Sequence, residues 1–277
     1  MKEATLRDRI LQIARDAGAE AIAVAMHDFE HQTSWRLNSE RWFHAASTIK
    51  VPVLLGVFDA IEQERVALHS RVHVRNWFLS AADERPFRVS AGRDGNSEVH
   101  SAIGKMLTVR ELATHMIVTS SNLATNLLVD VVGVDAINAT LHSLQLAGIE
   151  LRRGVEDEAA WEQGLNNRIT ADGLCRALRL IEEGTAISPD ASTAMLDILH
   201  QQRFRSGIPA GLPDEARVAN KTGEMSTVAH DAGIIYLEGR KPYVLVVLTE
   251  WAPENQARRR TIAAVSRVVY EYAAGGA

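Results

Sequence analysis

The sequence predicts an α+β architecture in which both ends of the chain build one antiparallel sheet and the middle builds a mostly helical region. Three observations predict it. Apolar runs of strand length fall at 21–40 and again at 218–249. The stretch between them carries apolar residues at helical spacing, divided by capping and stop signals. Neither a repeat nor a Pro/Gly/Ser-rich linker divides the 277 residues. The chain therefore reads as a single domain over 1–277, with a sheet part at about 1–46 and 214–277 and a helical part at about 47–213.

Each element has its own warrant. Leu6, Ile10, Leu11 and Ile13 lie at helical spacing in 5–17, and Gly18 stops that helix. Residues 21–28 (AIAVAMHD) and 34–40 (SWRLNSE) read as two strands of a hairpin around the polar turn between them. A helix should open at Ser47 and run through Val51–Leu68; Pro52 falls in its first turns, where a missing N–H is best tolerated. Residues 75–103 hold Pro86, scattered charges and no period, and read as an irregular excursion or surface flap. Thr108 and Glu111 form a capping-box pattern that starts a helix over 111–120. Further helices are expected at Asn122–Val132, Asp135–Leu146, Thr170–Glu183 and Pro189–Gln202, with a long loop over 149–169. Strands at 218–223, 232–238 and 243–249 and a last helix over Asn255–Ala273 complete the chain.

Composition narrows the function. With 46% hydrophobic and 23% charged residues the chain is ordinary globular protein, not a disordered or fibrous one. A net charge of −5 argues against nucleic acid as a partner. No apolar run approaches the roughly 18 residues of a membrane helix, so no membrane partner is expected. The first 18 residues alternate charged with apolar side chains and show no leader pattern. The expected location is the cytoplasm as the sequence stands, or the periplasm or exterior if the start replaces a leader. The lone Cys175 excludes an intramolecular disulfide and cysteine-built zinc sites. His27 and His31 flank Glu30 in a hairpin rather than a helix, and His69 and His73 lack a carboxylate at metal spacing. Neither a metal nor another cofactor is expected.

Three short motifs carry chemistry. Ser47-Thr48-Ile49-Lys50 puts a hydroxyl and an amine on one face of a helix start. A serine is a weak nucleophile until a base activates it, and a lysine whose pKa falls by burial can be that base. Taken alone, the pattern also fits an N-cap serine followed by a solvated lysine. Ser120-Ser121-Asn122 places a hydroxyl and a carboxamide between two helices, an arrangement that also suits plain capping. Lys221-Thr222-Gly223 puts a cation, a hydroxyl and an unobstructed backbone on a strand, suited to a carboxylate ligand.

In this order the three become specific. STIK, SSN and KTG resemble the S-x-x-K, S-D-N and K-T-G signature of class A β-lactamases and penicillin-binding proteins. The helix after AASTIK, the helix after TSSN and the RSGIPAGLP stretch at 205–213 fit the same family, and the resemblance runs nearly the length of the chain. It implies a β-lactamase/transpeptidase-like fold and a small-molecule substrate, a β-lactam or related amide or ester. Ser47 would be the acylated nucleophile and Lys50 its proton partner. Ser120 would carry a proton to the leaving nitrogen, and Asn122 would bind the substrate's side-chain amide. Lys221 and Thr222, beside Gly223, would hold its carboxylate. The N–H groups of Ser47 and Glu224 would form the oxyanion hole.

The departures are informative. Ser121 stands where the family has aspartate, so a buried structural carboxylate is expected to be missing. Glu224 puts a negative charge beside an expected anionic substrate, and Arg203 is the candidate for the carboxylate-binding arginine. Trp77 and Phe78 are candidates to line the cleft. For the deacylating glutamate, Glu162-Gln-Gly-Leu-Asn166 matches the E-x-x-L-N pattern literally, which also makes Asn166 a substrate-site candidate. Glu156 falls much closer to the family's usual interval from Ser120 and is preferred. The leading expectation is a serine hydrolase that opens β-lactam rings through a Ser47 acyl-enzyme. The alternatives are an esterase, amidase or D,D-peptidase of the same fold, or a sensor that binds β-lactams without destroying them.

Overall fold

A computed structural model describes residues 2–275. Helix α1 (Glu3–Ala17) ends at Gly18, whose left-handed backbone (φ +73°) returns its N–H to the carbonyls of Ala14 and Arg15. The chain then enters β1 (Ala19–Asp28), β2 (Thr33–Leu37) and the short β3 (Phe43–His44). A 3-10 turn over Ala46–Ile49 leads into α2 (Lys50–Glu62). The helix stops six residues short of its expected end. Gln63, Glu64 and Arg65 expose the chain, and Glu64 (φ +57°) reverses it.

The middle of the chain is helical with small sheet fragments. It runs β4 (Arg71–His73), β5 (Phe78–Leu79), β6 (Pro86–Phe87), α3 (Ser97–Ser101), β7 (Met106–Thr108), α4 (Val109–Val118), α5 (Asn122–Val132) and α6 (Val134–Ser143). Then follow β8 (Ile149–Glu150), α7 (Glu158–Glu162), β9 (Arg168–Ile169), α8 (Ala171–Glu182) and α9 (Pro189–His200). The expected capping box is formed: Thr108 N–H donates to Glu111 Oε2 at 2.7 Å, and Glu111 N–H donates to Thr108 Oγ1 at 3.2 Å. The chain returns through β10 (Arg217–Glu224), β11 (Val228–Tyr236), β12 (Tyr243–Trp251) and α10 (Arg258–Ala274).

The five long strands form one antiparallel sheet ordered β10-β11-β12-β1-β2. Both faces are covered, which explains why residues 243–248 of β12 read as an unbroken apolar run. Tyr243, Leu245 and Val247 turn to the core under α1 and α10, with Leu6, Ile10, Ile262 and Val265. Val244, Val246 and Leu248 turn to the larger core of the helical region, through α8. Helix α2 runs through that larger core and is buried on all sides from Lys50 to Phe58. Its Gly56 lets α6 lie close: a Cβ there would come within 2.6 Å of Ile137 Cγ1.

The segment 75–103 is not a flap. It carries β5, β6 and α3 and is fastened by polar bonds. Asn76 and Val89 exchange two bonds of 2.8 Å, Ser80 Oγ and Ala81 N–H both donate to Asp157 at 2.8 Å, and Asn96 Nδ2 donates to Thr119 Oγ1 at 2.9 Å. Side-chain bonds to backbone hold it rather than an apolar face, so no period marks it. The loop 149–169 is held the same way, with Asn167 bonded to the backbone of Arg152 and Arg153. Trp77 is 48% exposed, and Phe78 is buried against Phe87, so neither reaches the cleft described below.

Gly56→Ala tests the α2–α6 contact. Helix propensity alone would favour alanine by up to about 1 kcal/mol. Overpacking against Ile137 costs about 1–3 kcal/mol and wins, so the variant is less stable in urea unfolding. Adding Ile137→Ala gives a double variant that loses less than the sum of the two single losses. A more stable Gly56→Ala protein would contradict the close approach.

Candidate active site

The 3-10 turn that carries Ser47 is set by its neighbours. Ala45 N–H donates to the Asn167 carbonyl at 3.0 Å, and Ala46, held at φ +44°, donates its N–H to His44 Nδ1 at 3.0 Å. Burial lowers the His44 pKa to about 4, so its ring is neutral and can accept. Gly223 of β10 lies against the same turn. A Cβ there would meet Thr48 N at 2.9 Å and Ser47 N at 3.0 Å, so glycine is what allows the strand end to approach the backbone of Ser47.

Lys50 opens α2 and points along its own first turn. Its Nζ donates to Ser47 Oγ (3.1 Å), Ser120 O (2.7 Å), Ser120 Oγ (3.1 Å) and Asn122 Oδ1 (2.7 Å). Lys221 Nζ reaches the same Ser120 Oγ from the other side at 3.1 Å and also donates to Thr222 O at 2.7 Å. Both lysines are fully buried. Burial, and then the Lys221 charge, push Lys50 well below the usual lysine range, while Asp94 and Glu156 pull it back up. Burial pushes Lys221 down to about 7, against the upward pull of Asp231. Asp231 is itself raised to about 6 by burial, although Asn220 Nδ2 and Ile208 N–H donate to it. The arrangement is a row of groups, Ser47 Oγ–Lys50 Nζ–Ser120 Oγ–Lys221 Nζ, in which a proton can move between hydroxyl and amine.

Ser120 sits on the connection between α4 and α5 with φ +59°. A left-handed non-glycine costs of order 1–3 kcal/mol and persists only when its surroundings over-determine it. Ala46 and Glu156 (φ +60°) share that property, so three such residues converge on one site.

Glu156 is brought in by α5. Asn126 takes Val155 N–H on Oδ1 (2.8 Å) and gives Nδ2 to Val155 O (2.9 Å), clamping the backbone just before the glutamate. One turn earlier on α5, Asn122 Nδ2 donates to Glu156 Oε1 at 2.7 Å, while Ser90 N–H donates to Oε2 at 2.9 Å. Glu162 lies elsewhere, exposed at the end of α7. Asn166 is engaged by Arg153 Nη2 at 3.2 Å and, like Glu156, is not among the residues that line the cleft. The literal E-x-x-L-N match is therefore not the one that meets Asn122. The amide of Asn122, expected to be free for substrate, already bridges Lys50 and Glu156.

The expected loss of a buried carboxylate at Ser121 is corrected by Asp94. Its side chain is fully buried and arrives from the 75–103 segment. Asn122 N–H donates to Oδ1 at 2.9 Å, and Leu123 N–H (3.0 Å) and Ser121 Oγ (3.2 Å) donate to Oδ2, where His100 Nε2 also lies at 3.0 Å. Glu224 is paired as well: Arg259 of α10 bonds it at 2.7 Å. Arg259 lines the cleft, whereas Arg203 is exposed and outside it. Neither Asp94 nor Arg259 carries a sequence signal, since each meets its partners at the site across 27 or more residues from an irregular stretch or a helix start. His27 and His31 spend their Nδ1 atoms on Ser34 and Asp28.

The cleft measures about 410 Å³, with Ser47, Ser120, Asn122 and Thr222 within and Phe204 and Arg93 at the rim. That volume suits a small organic ligand. A larger groove of about 670 Å³ between α1 and the β1–β2 edge holds none of these groups.

The buried lysine has a cost that pH reveals. Lys221 titrates near 7 in the folded chain against an ordinary 10.5, so the folded state holds fewer protons than the unfolded one between those values. Stability from this group therefore rises with pH across that window and is lowest below pH 7. Lys221→Met removes the titration. Its stability relative to the parent should be most favourable near pH 6 and decline by up to about 1.4 kcal/mol per pH unit above 7 in denaturant titrations. A relative stability independent of pH would show that the ammonium is not desolvated.

Comparison with known proteins agrees with this geometry. A beta-lactamase of Bacteroides uniformis is 27% identical over 85% of this chain and 81% of its own. Beta-lactamase CTX-M-25 of Escherichia coli is 25% identical, over 95% and 88%. The crystal structure of a beta-lactamase from Sphaerobacter thermophilus superposes with a TM-score of 0.84 at 26% identity, covering 99% of this chain and 98% of that one. The structure of PBP-A shares the fold, with a TM-score of 0.82 at 24% identity over 97% and 95%. A family model described as the beta-lactamase enzyme family matches residues 5–273. With its fold, its row of serines and lysines and this match in agreement, the chain belongs to the beta-lactamase enzyme family.

Proposed function

We propose that the protein is a serine hydrolase that opens the cyclic amide of small-molecule β-lactams through an acyl-enzyme on Ser47. The observation that carries this reading is the position of Ser120 Oγ, 3.1 Å from both Lys50 Nζ and Lys221 Nζ, with Ser47 Oγ 3.1 Å from Lys50 Nζ. Lys50, which burial pushes well below the usual lysine range, takes the Ser47 proton from its unprotonated form, Nζ accepting from Oγ–H across the 3.1 Å contact as Oγ adds to the carbonyl carbon. The oxyanion is received by the N–H groups of Ser47 and Glu224, Gly223 letting the end of the strand approach the Ser47 backbone. The C–N bond then breaks, and its nitrogen takes a proton through Ser120 Oγ, replenished from the lysine side. Lys221 and Thr222 hold the substrate's carboxylate. Glu224 does not repel it, because Arg259 neutralises that charge.

In the second half-reaction Glu156 takes a proton from water, the hydroxide attacks the ester carbon, and Ser47 recovers its proton. One observation favours a slower version. Both oxygens of Glu156 already accept hydrogen bonds, from Asn122 and Ser90, and neither is bonded to Lys50. In that version the acyl-enzyme accumulates and the protein traps β-lactams.

Intact-protein mass spectrometry during turnover of a penicillin or a chromogenic cephalosporin tests both. A hydrolase gives a transient adduct and accumulating product; a trap gives a persistent adduct. Ser47→Ala gives no adduct in either case. Glu156→Gln should slow deacylation by about 10²–10⁴-fold and convert a transient adduct into a stable one. Glu162→Gln should leave turnover within about twofold, as expected of an exposed side chain outside the site. No adduct on the parent protein would move the reading to an esterase or amidase.

A further inference from the structure

We propose that Asp94 is the residue that positions Ser120 and Asn122 for the reaction, supplying from the 75–103 segment the carboxylate that position 121 lacks. The proposal rests on the Ser47 acylation reading above and adds a residue that acts through others.

The turn at 119–123 sets the requirement. Ser120 must present both its carbonyl and its hydroxyl to Lys50, which requires its left-handed backbone. One local bond, from Ser121 N–H to the His115 carbonyl at 3.0 Å, helps to hold a serine in that conformation. Asp94 does so from outside. Its two oxygens take the N–H groups of Asn122 and Leu123, the first two residues of α5, which otherwise would have no partner. A negative charge at that helix start is also favoured by the helix dipole. The residues after Asp94 complete the grip. Gly95 lies so close that a Cβ would meet Thr119 O at 2.1 Å, and Asn96 Nδ2 bonds Thr119 Oγ1. Residues 94–96 thus hold the turn from 119 to 123 on one side while Lys50 holds it on the other. Ser121 Oγ, 3.2 Å from Asp94 Oδ2, points into the same space, so a carboxylate reached from position 121 would fall near where Asp94 now places one. Asp94 is also one of two carboxylates that oppose the lowering of Lys50, so its loss alters the charge around the base as well as its geometry.

The test is Asp94→Asn, with Asp94→Ala and Asp94→Ala/Ser121→Asp as the rescue pair. The amide of the first variant must turn a donor toward the N–H groups of α5. Single-turnover acylation by a β-lactam should slow by about 100-fold, the scale of a displaced catalytic group, with noncovalent substrate affinity within about threefold. Amide hydrogen exchange at Asn122 and Leu123 should accelerate while the sheet stays protected. The Ser121→Asp double variant should regain at least tenfold of the acylation rate lost in Asp94→Ala. The proposal is overturned if Asp94→Asn acylates within threefold of the parent, if affinity falls as much as the rate, if the two amides exchange as before, or if the double variant is no faster than Asp94→Ala. If the parent protein itself takes no adduct, the Ser47 reading fails instead, and the exchange measurement still decides whether Asp94 holds the turn.

Discussion

Two buried lysines share one hydroxyl, and the rest of the site follows from the cost of that arrangement. An ammonium removed from water is expensive, and a second one nearby makes the first worse. Lys50 and Lys221 both have their Nζ 3.1 Å from Ser120 Oγ. The protein meets the cost in three ways. It lets Lys50 titrate far below its usual range, it surrounds Lys50 with four acceptors, and it sets Asp231 behind Lys221. The first of these makes the unprotonated form of a buried lysine accessible, which is what a base requires.

The backbone shows the same exchange of stability for position. Ala46, Ser120 and Glu156 each adopt a left-handed conformation that a side chain disfavours: Ala46 precedes Ser47, Ser120 gives its carbonyl and hydroxyl to Lys50, and Glu156 is bonded to Asn122. Their conformations are imposed by side chains from other elements: His44 on Ala46, Asp94 and Asn96 around Ser120, and Asn126 just before Glu156. Asn122 and Asn126, one turn apart on α5, make that helix the ruler of the site. One fixes the glutamate's oxygen and the other the backbone that delivers it.

The sheet and the contact of Ser47 with Lys50 were legible because their signals are local. Strand β12 announces burial on both faces by the unbroken apolar run of residues 243–248, and Ser47 and Lys50 sit on one helical turn. Three motifs, weak singly, gained force from their order. Glu156 rather than Glu162 meets Asn122, so for that contact the interval was a better guide than the literal pattern. Glu156 meets Asn122 because Asn126 clamps Val155, a relation between a helix and a loop that no short pattern encodes. Asp94, Arg259 and the Ser90 N–H were not legible at all. Each reaches its partner from a distant, aperiodic stretch or a helix start, where hydrogen bonds to backbone rather than burial fix the conformation.

That contrast explains how a motif can change a residue without losing what the residue supplies. What the turn at 119–123 requires is an acceptor for two helix-start N–H groups and a negative charge within reach of Lys50. Both are conditions on a point in space. A side chain at position 121 is one way to meet them, and Asp94 meets them from 27 residues earlier in the chain, with His100 beside it. The cost of the second route is entropic, because the 75–103 segment must be ordered before its carboxylate is useful. That ordering is visible as the bonds of Asn76, Ser80 and Asn96, which tie the segment to itself, to the loop that carries Glu156, and to the end of α4. The same segment also donates Ser90 N–H to Glu156, so the element that replaces the missing carboxylate holds both halves of the proposed chemistry in register.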